Sequence, residues 1–177
     1  MVFDVADLRE FVPFTTNSHV GYGTLESPAY IFLTSRELLQ SAKSATESGL
    51  VILHLDATFK LTSAGFPVVV GGVSDRSGLF HVSFMCVTSH RRVEDYTEVL
   101  RRFKVSYNNV FQEEFVPSFT MADGEKALRE AISNLFPEAN TLMCYFHVIK
   151  NDREKMIGMT SHQKMDVFRG IYEMHMR

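Results

Sequence analysis

Leu50-Val51-Ile52-Leu53-His54-Leu55-Asp56 is the stretch whose reading decides the fold. Its first six residues include five apolar ones, two of them β-branched, and an aspartate closes the run. A short apolar run of this kind between polar boundaries reads as a largely buried strand. Two more such runs follow. Phe66 to Val73 carries Pro67 near its first position, where a missing N–H matters least. Leu79 to Val87 comes after an Asp75-Arg76-Ser77-Gly78 turn. Three strands with short links and no helix between them predict an antiparallel meander.

Downstream the period changes. Val93, Tyr96, Leu100, Phe103 and Tyr107 recur every three or four residues, the stripe of an amphipathic helix. Phe115 to Met121 returns to strand. Ala127, Leu128, Ala131, Ile132, Leu135 and Phe136 mark a second helix, stopped by Pro137. Thr141 to Phe146 reads as a fifth strand, and a helical tail follows from about His147. The order is β-β-β-α-β-α-β-α, an α/β fold with a mixed five-stranded sheet and helices on both faces. Helical crossovers make the later strands parallel to the first. With the first and fourth strands adjacent, Asp56 and Asp123 stand side by side at one edge, where open α/β sheets commonly bind ligands.

Two neighbouring carboxylates repel unless a cation or a proton lies between them. A hard divalent ion is the usual resolution, since Mg²⁺ takes carboxylate oxygens together with water and phosphate oxygens. The pattern points to metal-assisted phosphoryl transfer on a nucleic-acid strand. Other roles suit the same residues. Aspartate opens turns at strand ends, and Asp123 is also placed to N-cap the helix that follows.

The motifs resemble the transposase domain of Mutator-like elements (MULE), a member of the RNase H-like superfamily. The matching text is Leu53-His54-Leu55-Asp56-Ala57-Thr58-Phe59-Lys60, then Met121-Ala122-Asp123-Gly124-Glu125-Lys126-Ala127-Leu128, then Phe136-Pro137 and Cys144-Tyr145-Phe146-His147. The resemblance covers roughly residues 50–155. It implies metal binding and catalysis by Asp56 and Asp123, Mg²⁺ or Mn²⁺ as cofactor, DNA as partner and the nucleus as location. It also implies a third acid, a glutamate, after a helical insertion beyond the Cys-x-x-His segment. Only Asp152, Glu154, Asp166 and Glu173 follow His147. The expectation is therefore a transposase domain over 50–177, cut before its third acid, whose isolated chain is inert. A non-catalytic binding module and a metal-dependent nuclease on the same scaffold are the alternatives.

Composition agrees with a folded domain. The 177 residues are 45% hydrophobic and 22% charged, which excludes a disordered chain. No apolar run approaches the ~18–20 residues that span a bilayer, and Met1-Val2-Phe3-Asp4 does not begin a secretory signal. Residues 1–49 hold 6 acidic and 3 basic side chains, whereas 50–177 hold 15 of each, so 1–49 reads as an acidic adjunct. Within it Tyr30 to Leu33 reads as a strand, followed by a helix capped by Thr34 or Ser35 and ending near Gly49. A net charge of −3 excludes binding of nucleic acid by bulk charge.

Local basic groups remain. Lys150, Arg153 and Lys155 follow the fifth strand and are candidates for phosphate contact. Arg91-Arg92 and Arg101-Arg102-Lys104 read as solvated faces. Cys144 and His147 have half a zinc spacing, and a structural site needs four ligands. On a buried strand Cys144 equally reads as a small hydrophobe.

Overall fold

Burial alternates along the strand that begins at Ile52, and this alternation organises the sheet. A computed structural model describes residue 19 and residues 21–58, 61–63, 65–74 and 78–175. Phe59, Lys60 and the Asp75-Arg76-Ser77 part of the expected turn lie outside the described residues. Strand β1 spans Tyr30–Leu33, and helix α1 spans Arg36–Glu47. Strand β2 (Ile52–Thr58) buries Leu53, Leu55 and Ala57; Ile52, His54 and Thr58 are half-buried and Asp56 is exposed. Successive side chains point to opposite faces, so one face of β2 is wholly apolar and the other carries the histidine and the aspartate.

Strands β3 (Val68–Ser74) and β4 (Phe80–Thr88) complete the antiparallel meander. Helix α2 (Val93–Phe111) then crosses over to β5 (Phe119–Ala122), which lies parallel to β2 on its free side. Helix α3 (Lys126–Leu135) leads to β6 (Asn140–Met143). The sheet order is β1-β4-β3-β2-β5-β6.

The sheet thus has six strands where five were expected. β1 is the addition. It pairs antiparallel with β4, from Tyr30 opposite Thr88 to Leu33 opposite Met85. The pairing occupies hydrogen-bonding groups at the β4 edge and buries Phe32, which stacks on Phe84 with ring centroids 5.4 Å apart.

The helices of this part of the chain share one face of the sheet, where helices on both faces were expected. Phe103 of α2 packs on Phe84 at 4.8 Å, and Tyr107 of α2 donates a 3.5 Å hydrogen bond to Thr46 of α1. Ala45 of α1 lines a cavity with Val73 and His81, and α3 packs along α2. Register puts Leu53, Leu55, Val69, Val73, Phe84 and Cys86 on that same face, a continuous apolar surface. The opposite face presents His54, Asp56 and Ser74, which favour solvent. Gly71 is required in the meander, because a Cβ there would come 2.2 Å from the buried Phe84 ring.

The caps follow the sequence. Ser35 accepts the Leu38 N–H at 3.2 Å to start α1, and Gly49 sits at φ 84° just after it. Chain contacts divide the protein into two units, 1–142 and 143–177. The second contains helix α4 (Tyr145–Lys155) and helix α5 (Ser161–His175). Met156 and Ile171 are buried, and the Arg153 guanidinium lies 5.8 Å from the centre of the Phe168 ring. Among the described residues no helix is long and apolar enough to cross a membrane.

Candidate functional site

The β2–β5 register brings the two aspartates level. Ile52 pairs with Phe119, Leu53 with Thr120 and His54 with Met121. Two residues further on, both strands arrive at aspartate, Asp56 on β2 and Asp123 just past β5. Neighbouring strands lie about 4.8 Å apart, so the two backbones are adjacent here. Burial alternates along β5 to half-buried Met121 and buried Ala122, and Asp123 follows directly where the strand ends. Asp56 is not the last residue of its strand, as the sequence suggested. Ala57 and Thr58 extend β2 and pair with Val69 and Val68, so Asp56 is held by ladder bonds on both sides of its position.

Asp123 is shaped by its own loop. Its Oδ1 accepts the Glu125 N–H at 2.9 Å. The residue at the helix N-cap is Glu125, with α3 starting at Lys126, so Asp123 turns the chain ahead of the helix and does not cap it. His54, two residues before Asp56 on the same face, has Nε2 2.6 Å from Ser74 Oγ and its ring edge-on to Phe80. Burial lowers the His54 pKa, which keeps the imidazole neutral at pH 7.

β4 runs in the direction of β2 and β5, so its carboxyl end reaches the same edge. The loop that follows carries Ser89, His90, Arg91 and Arg92. Arg91 Nη2 lies 2.8 Å from Glu125 Oε1, and the buried Tyr96 hydroxyl donates to Glu125 Oε2 at 2.8 Å. Arg92 pairs with Asp95 at 2.9 Å, and Asp95 also accepts from Tyr30 at 2.8 Å. Desolvation pushes the Asp95 pKa up, but the hydrogen bonds from Arg92 and Tyr30 outweigh it and hold the carboxyl below its usual range.

The family model described as MULE transposase domain matches residues 52–151, more than half of the chain and both aspartates. The chain belongs to the MULE transposase domain family. Its function is accordingly transposase-related. No curated protein matches the sequence.

The other candidates in this MULE domain fall in different surroundings. Cys144 is not on a buried strand. β6 ends at Met143, Cys144 is the half-buried N-cap of α4, and Tyr145 and Phe146 are helical. The apolar run from Thr141 mimics a strand, but with Val148 and Ile149 it continues into a helix. Cys144 and His147 are one turn apart, and among the described residues no group of three His, Cys, Asp or Glu side chains is arranged to hold a metal ion. Lys150, Arg153 and Lys155 are exposed on α4. Lys150 and Arg153 line a 550 Å³ groove with Tyr145, Phe146 and Ile149.

The α2 basic cluster is only partly a solvated face. Arg101 and Arg102 both pair with Glu98, at 2.7 and 2.6 Å. Arg102 is buried, its guanidinium 5.1 Å from the centre of the Tyr30 ring. Cys86 is buried, and desolvation pushes its thiol up to about 12, which makes it a packing residue. The sequence carries no separate signal for Arg91 and Tyr96 as partners of Glu125. Arg91 reads as half of a basic pair, and Tyr96 as a member of an apolar stripe.

Proposed function

We propose that this MULE domain is an RNase H-like transposase catalytic domain in which Asp56 and Asp123 hold a divalent cation, Mg²⁺ or Mn²⁺, against DNA. The observation that supports this reading is the parallel β2–β5 register, which brings the chain to Asp56 and to Asp123 at the same level on neighbouring strands of one sheet edge. The meander followed by a parallel strand beside its first member supports the fold assignment.

The donor set fits a hard cation. Asp56 is exposed, and Asp123 uses Oδ1 for its loop while Oδ2 has no protein hydrogen bond among the described residues. A bound ion of this kind supplies charge neutralisation for the phosphoryl oxygens and activation of the attacking oxygen. The residues themselves do the rest. The β2 ladder fixes Asp56, the Glu125 amide orients Asp123, and neutral His54 adds no competing positive charge on the same face. Lys150, Arg153 and Lys155 are the proposed phosphate contacts, and the nucleus is the proposed location.

Among the described residues no third acid joins the pair, and two carboxylates alone make a weak site. The 177-residue chain is therefore expected to bind the ion and to leave DNA uncut. The test is a strand-cleavage and strand-transfer assay with Mg²⁺ or Mn²⁺, run beside Asp56→Ala and Asp123→Ala. No cleavage is the expected result. Cleavage that both substitutions abolish overturns the inertness while establishing the pair as catalytic. Cleavage that survives both removes the pair from the chemistry.

A further inference from the structure

We infer that Arg91, Tyr96 and Glu125 form a positioning cluster that presets the Asp123 carboxylate for its cation. The inference rests on the reading of Asp123 as a metal ligand. Glu125 is the centre of the cluster. Its Oε1 is 2.8 Å from Arg91 Nη2, and its Oε2 accepts from Tyr96 at 2.8 Å. Its backbone N–H donates to Asp123 Oδ1 at 2.9 Å. The same residue is thus tied by its side chain to α2 and the loop before it, and by its amide to the acid.

Three features make this more than a surface ion pair. Tyr96 is fully buried, so its hydroxyl has a fixed direction. The Glu125 side chain is only 16% exposed, which strengthens a charge-assisted hydrogen bond. Both Glu125 oxygens are occupied, which suits Glu125 to orienting a ligand and not to being one. With Oδ1 of Asp123 held by the Glu125 amide, the rotation of the carboxylate is set before a cation binds. Partners that orient a ligand in this way commonly change metal affinity by about 10–100-fold when removed.

The experiment measures Mn²⁺ affinity of the 177-residue protein by electron paramagnetic resonance of the free ion, together with the urea midpoint. The variants are Tyr96→Phe, Arg91→Ala and Arg91→Lys. Tyr107→Phe is the control. It removes a buried tyrosine hydroxyl from the same helix, 11 residues away in sequence and about 16 Å along the axis at 1.5 Å per residue.

Tyr96→Phe and Arg91→Ala are expected to weaken Mn²⁺ binding about tenfold. Arg91→Lys should recover part of the loss, and Tyr107→Phe should bind like the parent even where its urea midpoint falls. Arg91 is 47% exposed, so Arg91→Ala gives an answer even if Tyr96→Phe does not fold. Parent-like affinity in folded Arg91→Ala overturns the cluster and leaves the acid pair standing. Loss of affinity in Tyr107→Phe equal to that in Tyr96→Phe also overturns it, since the effect would then be general softening. A parent that does not bind Mn²⁺ overturns the metal reading beneath it.

Discussion

The two faces of β2 divide the molecule's tasks. Leu53, Leu55 and Ala57 point into a core shared with α1, α2 and α3, while His54, Asp56 and Thr58 point the other way. One seven-residue strand therefore anchors the fold with its odd-numbered residues and presents the candidate chemistry with its even-numbered ones. The difference teaches that rigidity at Asp56 is borrowed. The Asp56 backbone is held because its sequence neighbours are buried, while its side chain lies on the exposed side of the strand. Substitutions on the core face, apart from Tyr96 with its hydroxyl on Glu125, should change stability without touching ion binding, and those on the open face should do the reverse.

The largest stability effect is expected at Phe103. It is fully buried and its ring packs against Phe84 and Phe115 at 4.8 and 4.9 Å. Phe103→Ala should cost about 3–5 kcal/mol in urea unfolding. The molecules that remain folded should bind Mn²⁺ with parent affinity; a lower affinity in that folded fraction breaks the division.

Gly71→Ala comes next. The new methyl would meet the Phe84 ring at 2.2 Å on the core face, and overpacking of that kind costs up to about 3 kcal/mol. Thermal melting checks it, and an unchanged melting temperature would show that Phe84 has room to move.

A smaller effect is expected where β1 meets the start of α2. The Asp95 carboxyl, lowered below its usual value of 3.8, contributes stability that is complete above that value. The contribution is lost as pH falls through the folded-state value, because the unfolded chain then takes up the proton more readily. Asp95→Asn should remove about 2 kcal/mol at pH 7, typical for hydrogen bonds to a charged group. It should also flatten the acid limb of the stability profile. Equal acid sensitivity in parent and variant would remove Asp95 from that account.

The effect of Asp56→Asn on stability is expected to be the smallest, within about 0.5 kcal/mol, because the side chain is exposed. A large loss in the urea midpoint would make Asp56 a structural residue and erase the contrast between the faces.

The aspartates were legible because short links and helical spacing dictate the order of the strands, and the order dictates which ends meet. β1 was legible as a strand but not as part of the sheet. Its pairing with β4 joins residues more than fifty positions apart, and the apolar pattern of Tyr30 to Leu33 says nothing about which edge receives it. Tyr96 satisfies a helical stripe, so its hydroxyl carries no separate signal in the sequence; its bond to Glu125 is set by the tertiary fold. Cys144 was misplaced for the opposite reason. Its neighbours are apolar enough for a strand, and only the extended backbone at Cys144 itself, φ −64° and ψ 116°, marks the start of a helix.

The central claim is that Asp56 and Asp123 share a divalent cation, and paramagnetic broadening of backbone amide signals by Mn²⁺ tests it most directly. Low Mn²⁺ concentrations should broaden amides near residues 55–58 and 122–125 first, and Asp56→Asn or Asp123→Asn should each abolish that selectivity. Broadening that centres elsewhere in the parent, or that persists at both strand ends in the Asp56→Asn, Asp123→Asn double variant, would contradict the account.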